Sequence, residues 1–273
     1  MDYEIKPSGK FNLNLSELWE YRELFYFFTW RDIKIKYKQT VFGVAWAVLQ
    51  PITMMIVFTV FFGQALGIKN SVNNIPYPIF VYSGLMLWNV FSSGLSSAAN
   101  SMVSNANIIK KIYFPRLIIP ISAILVPLFD FIIVLVIYFG LLLYYHYSVS
   151  WSFAFYMPLA LLITVLTTFG LGSFIAALNV KYRDFKYVVP FFIQLLFFIT
   201  PVIYPVNILP YEWMKEILSF NPMAGAIDLV RSSVTGNEIN VNLLVASCIS
   251  SVLLFIVGLV YFRRTEYYFA DLA

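Results

Sequence analysis

Six apolar runs of membrane-crossing length leave this chain little choice of fold. They fall at about 43–68, 77–99, 117–144, 152–178, 187–204 and 241–262. A helix needs roughly 20 apolar residues to cross a hydrocarbon core about 30 Å thick. In lipid every backbone N–H and C=O must be satisfied internally, so such runs become helices. Pro51, Pro120, Pro127, Gly170 and Gly172 lie inside them; neighbouring helices and local kinks take up the groups they free. Of the 273 residues 60% are hydrophobic and 12% charged, against about 25% charged in a soluble domain. A chain of this composition has too little polar surface to cover itself in water. The expectation is an all-α integral membrane protein, one transmembrane domain over 1–273, with six spans.

The cations fix its orientation. Lys6, Lys10, Arg22, Arg31, Lys34, Lys36, Lys38, Lys110, Lys111, Arg116, Lys181, Arg183, Lys186, Arg263 and Arg264 fall in segments on one side of the six spans. Only Lys69, Lys215 and Arg231 fall on the other, and 15 plus 3 accounts for all 18. The side rich in Lys and Arg is the cytoplasmic one, so the sequence predicts both termini inside. The largest cluster, Arg31 to Lys38, stands just before the first span as a cationic collar. The first long apolar run starts near residue 42, too late and too long for a cleaved signal peptide.

Two segments flank the spans. Residues 15–30 form an amphipathic pattern with Leu18, Tyr21, Leu24, Phe25 and Phe28 on one side and Glu17, Glu20, Arg22 and Glu23 largely on the other. Asn14 and Glu17 have the capping-box spacing. This pattern predicts a helix lying in the membrane interface; packing on a partner protein is the alternative. Residues 205–234 are half apolar but punctuated by Pro205, Pro210 and Asn221-Pro222. Two short helices meeting at Asn-Pro fit a re-entrant pair in the outer leaflet, which is tolerated where protein or a water-filled cavity covers it; an external cap is the alternative.

Catalytic chemistry has little to work with. There is one cysteine, Cys248, and one histidine, His146, so no metal constellation or intrachain disulfide forms from these residues alone. Gly9-Lys10-Phe11 lacks the glycine spacing of a phosphate-binding loop, so any ATPase that drives this chain is a separate subunit. The spans hold one carboxylate, Asp130. An intramembrane acid is a functional candidate because burying it is costly. It is expected to meet a polar group of a neighbouring helix or to sit near the outer water. The 27 Phe, 19 Tyr and 6 Trp supply interfacial belts; aromatic faces also suit the flat C–H faces of sugar rings.

Several stretches carry a family resemblance. They are Arg31-Asp32 with Tyr37-Lys38-Gln39-Thr40, Gly43, Trp46 and Leu49-Gln50-Pro51; Ile108-Ile109-Lys110-Lys111 with Phe114-Pro115-Arg116; Tyr182-Arg183-Asp184; Thr200-Pro201-Val202-Ile203-Tyr204; and Asn221-Pro222-Met223. In this order the chain resembles the permease subunits of polysaccharide ABC exporters of the ABC-2 type, and among them the O-antigen export permeases. The resemblance implies a homodimer with a channel at its interface and two copies of a nucleotide-binding, Wzt-like ATPase beneath, which bind ATP and Mg, while this chain holds no cofactor. It implies a lipid-linked polysaccharide moved from cytoplasm to periplasm across the bacterial inner membrane. Residues 15–30 become the interface helix, and Asn107, Lys110, Lys111, Phe114, Pro115 and Arg116 belong to the ATPase-coupling loop. The re-entrant pair gates the external mouth. The first span lines the channel with the fifth, its stripe at helical spacing being Trp46, Gln50, Thr53, Val57 and Phe61, with Tyr37 at the cytoplasmic entrance.

The residues leave other readings open. The same architecture serves export of teichoic acid, capsule, or a small lipid or drug. A secondary transporter or channel without ATPase needs facing ionisable groups at mid-membrane, and the spans supply Asp130 alone.

Overall fold

A computed structural model describes residues 15–38, 44–65, 67–68, 75–147, 149–182, 184–236, 238–266 and 269. The motif residues Gln39, Thr40, Gly43 and Arg183, and the cations Lys6, Lys10 and Lys69, lie outside them. The described residues form helices joined by turns and short loops, with no strand among them. The elements are α1 (Leu15–Glu20), α2 (Arg22–Lys38), α3 (Val44–Phe58), α4 (Tyr77–Ser104), α5 (Ala106–Ile109), α6 (Ile118–Tyr144), α7 (Phe153–Lys181), α8 (Phe185–Ile199), α9 (Glu212–Ser219), α10 (Pro222–Thr235) and α11 (Val241–Thr265). Helix α3 continues as a π-helix over Thr59–Ala65. Five stretches are long and apolar enough to cross a membrane, namely Ala45–Ala65, α4, α6, α7 and α11, and α8 is a shorter apolar helix.

Helix α4 is the axis, 78% buried over its most apolar window. It packs on α6 and α7, and α7 packs in turn on α11. At the α7–α11 crossing the backbones touch: a Cβ placed on Gly258 would lie 1.9 Å from the Gly170 carbonyl oxygen. Small residues at a crossing let membrane helices pack backbone to backbone.

One end of the bundle gathers Phe28, Ile109, Phe114, Ile118, Val180 and Phe262 into a single apolar cluster. That end carries the C-termini of α4, α7 and α11 and the N-terminus of α6, so these helices alternate in direction. Helix α2 runs to Lys38, through the whole collar. The apolar side read from the sequence, Leu18, Tyr21, Leu24 and Phe25, packs on this cluster. Trp19, Tyr26, Phe27 and Trp30 are exposed instead, with Arg22 over the Trp19 ring and Lys34 over that of Trp30. Cations and indoles outward and leucines and phenylalanines inward suit a helix at an interface.

At the other end local sequence signals fix the short helices. Thr200, preceding Pro201, is extended with ψ 137° and ends α8, as a residue before proline disfavours the α region. Asn221 caps α10, its side-chain oxygen accepting the Met223 N–H at 3.0 Å, with Pro222 at the first helical position. Gly236, at φ +68°, ends α10 in the left-handed conformation that glycine adopts without strain. Helix α10 is buried among α4, α7 and α11.

Candidate functional site: a groove between the helices

A groove of about 450 Å³ opens between α2, α3, α4, α6 and α8. Three residues expected at the channel, Tyr37, Trp46 and Gln50, line it, and so does Asp130. From α4 come Asn89, Ser92, Ser93 and Ser96. Spacings of three, four and seven put these four on one helical face. The sequence reading passed over them, although the run Ser92-Ser93-Gly94-Leu95-Ser96 inside an apolar span is the signal that marks them.

Asp130 is where the groove is charged. It lies 12 residues into α6, about 18 Å up that helix at 1.5 Å per residue. Its carboxylate accepts hydrogen bonds from the Lys36 ammonium and the Tyr37 hydroxyl. Of the two sequence expectations for this acid, the polar neighbour is the one found, and the neighbour comes from the collar rather than from another span. Tyr37 also meets Phe129 edge to face, ring centroids 6.0 Å apart. Burial, and then the carboxylate beside it, raise the Tyr37 phenol well above its ordinary range. The collar thus rises alongside α6 into the bundle and brings a cation to mid-depth.

The expected stripe on α3, Trp46, Gln50, Thr53, Val57 and Phe61, is exposed along its length. Pro51, Met55 and Gly63 are the buried positions and hold α3 to the bundle. At 100° per residue the buried face lies about 140° round the helix from the stripe. Gly63 lets the Tyr77 ring approach closely, since a Cβ there would lie 2.7 Å from Tyr77 Cδ1. Exposure along α3 and α8 is not uniformly apolar: Gln50, Thr53, Gln64 and Gln194 are exposed. On α6 and α11 the exposed mid-helix residues are apolar, among them Phe129, Ile132 and Val136, and Ile249, Val252 and Ile256.

At the cluster end the loop between α5 and α6 divides the residues expected there. Asn107, Lys110 and Lys111 are exposed. Phe114 is 3% exposed and packs on Phe28 at 5.8 Å; Pro115 is buried beside it. Arg116 bonds to Glu266. The most exposed apolar side chains are Ile112 and Tyr113, 60% and 80% exposed, which the sequence did not single out.

At the other end α10 carries a buried arginine. Arg231, counted from sequence among the external cations, is 7% exposed. Its guanidinium donates to the Pro201, Val202 and Phe80 carbonyls at 2.7, 2.6 and 3.2 Å and stacks on the Phe80 ring. Ending α8 at Thr200 frees carbonyls at membrane depth, and Arg231 satisfies two just past the break. Tyr204 donates to the Ile199 carbonyl at 2.7 Å. The Thr-Pro-Val-Ile-Tyr and Asn-Pro motifs meet in space, where Asn221 Nδ2 donates to Thr200 Oγ1 at 2.8 Å.

Comparison with known proteins agrees with this architecture. Residues 23–235 match the family described as ABC-2 type transporter. An O-antigen export system permease protein RfbA of Klebsiella pneumoniae is 30% identical over 266 residues, covering 97% of this chain and 99% of that protein. Its namesake in Myxococcus xanthus is 30% identical over 209 residues, 76% of this chain and 78% of that protein. The polysialic acid transport protein KpsM of Escherichia coli is 23% identical over 247 residues, 86% and 91% respectively. With the family pattern spanning most of the chain on a bundle of membrane-length helices, the chain belongs to the ABC-2 type transporters as a membrane permease and is not itself an enzyme.

Proposed function

We propose that this chain is the membrane subunit of an ATP-driven exporter of lipid-linked polysaccharide of O-antigen type. Two copies pair so that α3 and α8 enclose a channel, and a separate ATPase docks on the loop 105–116. Transport runs from cytoplasm to periplasm across the bacterial inner membrane, with both termini cytoplasmic. The observation that carries this reading is the groove. A groove in a membrane bundle that sets Asn89, Ser92, Ser93, Ser96 and Gln50 beside Trp46 and the apolar walls of Val90, Phe131 and Ile193 matches a hydroxyl-rich polymer, which needs donors, acceptors and flat apolar faces rather than one tight pocket. The 15-to-3 distribution of cations supports the orientation. The names of the relatives support the substrate class. The polysialic acid relative favours a second polysaccharide, with capsule export as the second reading.

The coupling step follows from the loop. The exposed Ile112 and Tyr113, between Lys110-Lys111 and the buried Phe114, offer an apolar knob with a basic rim to the ATPase. ATP binding draws the two ATPases together, and Phe114 passes that displacement to Phe28 on α2, which carries Lys36 and Tyr37 into the groove. The test is a deletion strain. Surface polymer disappears while lipid-linked polymer accumulates inside, and an ATPase co-purifies with the tagged permease. ATP-independent flux of polymer or ions through the purified chain alone would overturn the proposal. Loss of capsule with intact O-antigen selects the second reading.

A further inference from the structure

Glu266 follows the last residue of α11 and holds the loop before α6 from 150 positions away. Its carboxylate accepts the Arg116 backbone N–H at 3.1 Å and Arg263 Nη1 at 3.0 Å. Its backbone carbonyl accepts the Arg116 guanidinium. The Arg263 and Glu266 side chains are only 23% and 18% exposed, so these charge-assisted bonds are partly shielded from water. Phe269 is 1% exposed and packs edge to face on Phe262 at 5.2 Å. The inner end of α11 is thereby clasped to the same loop that Phe114 joins to α2.

The outer end of α11 is fastened too. Ser247 Oγ accepts the Gly225 N–H at 3.1 Å and lies 3.2 Å from the Asn221 carbonyl oxygen. Those residues form the junction of α9 and α10. The contact is close: a Cβ on Gly225 would lie 2.4 Å from Ser247 Oγ. The fastenings at Ser247 and Glu266 are 19 positions apart, about 28 Å of helix, without a proline between them. Midway, Gly258 lies against Gly170, so α11 shifts only together with α7.

We infer that α11 is a transmission rod, with Glu266 as the positioning residue that makes displacement of the loop reach the α9–α10 pair at the other face. The inference rests on the loop being where the ATPase acts. A loop tied only through Phe114 would press on α2 and on the apolar cluster around Phe262, with no polar bond to fix the end of α11 to it. Packed cores and interfaces switch between discrete arrangements rather than deform smoothly. A rod fastened at both ends is the kind of element that lets one site bias the other.

The experiment uses the full complex with its ATPase. Cys248 is replaced by Ala, and a reporter, Phe220→Cys, is placed at the α9–α10 junction, where Phe220 is 70% exposed. Maleimide labelling of the reporter is followed with and without ATP, together with ATP hydrolysis and surface polymer. In the parent, ATP changes the labelling rate. Glu266→Ala is expected to abolish that change and lower export about tenfold while hydrolysis stays within about twofold. If the Ala variant fails to insert, Glu266→Gln, which keeps an acceptor for the Arg116 N–H but loses the charge, is read with the same assays. Normal export or unchanged ATP-dependent labelling in the variant that inserts overturns the rod. A parent whose labelling ignores ATP, with Lys110 and Lys111 replaceable at no cost to coupling, overturns the loop assignment instead.

Discussion

Asp130 sets the terms for the groove, because a carboxylate at that depth has to be paired. Removing one partner of an ion pair shielded from water leaves the other uncompensated, whereas replacing both by apolar groups is often nearly neutral. Lys36 is 40% exposed and Asp130 19%, so water softens the penalty. Asp130→Asn or Lys36→Met is therefore expected to cost about 1–2 kcal/mol, and the double variant less than the sum. Thermal unfolding of the four proteins in one detergent closes the cycle; additive losses would show that the pair does not interact. The loop offers a second contrast between neighbours. Phe114→Ala deletes a buried ring and should cost about 3–5 kcal/mol. Tyr113→Ala touches an exposed side chain and should leave the melting temperature alone while weakening ATPase retention on the tagged permease. If both variants behave alike, the division of this loop into an inner wedge and an outer knob is wrong.

The elements show where sequence reasoning reaches and where it stops. Length and apolarity make the long helices legible, since lipid leaves the backbone no alternative. Asn221-Pro222 and Gly236 likewise announce α10 through chemistry local to its ends. What stays hidden is which face each element presents. Leu18, Tyr21, Leu24, Phe25 and Phe28 form an apolar side that serves lipid and protein equally well on paper; only packing shows that Phe114 and Phe262 receive it. Lys36 sits in the collar, so charge counting assigns it to the loop before the first span, and only the lean of α2 along α6 brings it to Asp130. Arg231 is the same lesson at the outer end. An arginine in a polar connection looks solvated until the carbonyls freed by Pro201 need a donor. Gly84 belongs to that arrangement, since a Cβ there would lie 2.8 Å from the Val202 oxygen and 2.9 Å from Arg231 Nη2. Arg231→Met should orphan buried carbonyls at about 1–3 kcal/mol each, and Gly84→Ala should push the broken segment away. Both are expected to lower the melting temperature and to raise protease cleavage near Thr200–Tyr204, while a solvated replacement such as Lys215→Met changes neither.

At the scale of the whole molecule the question is what covers α3 and α8. The membrane window of α3 is 11% buried, the least of the five long stretches, and among the residues of α8 only Val189 is buried. Lipid would cover such faces if they were apolar, as it would cover Ile132 and Val136 on α6 or Val252 and Ile256 on α11. Here the exposed set includes Gln50, Thr53, Gln64 and Gln194, and polar side chains in membrane helices face the protein interior or a water-filled cavity rather than lipid. In the proposed pairing the uncovered side is where a second copy stands, and the groove opens toward the space between the two. Single cysteines at Thr53, Val57 and Phe61, made in a Cys248→Ala background, should give disulfide-linked dimers under mild oxidation in native membranes. Cysteines at Ile132 and Val252, equally exposed and on lipid-facing sides, should stay monomeric. ATP or polymer should change the yield at Val57 and Phe61 if the channel widens in transport. Cross-linking confined to the α6 and α11 positions would place the partner on the opposite side and leave the glutamines of α3 and α8 without a role in the channel.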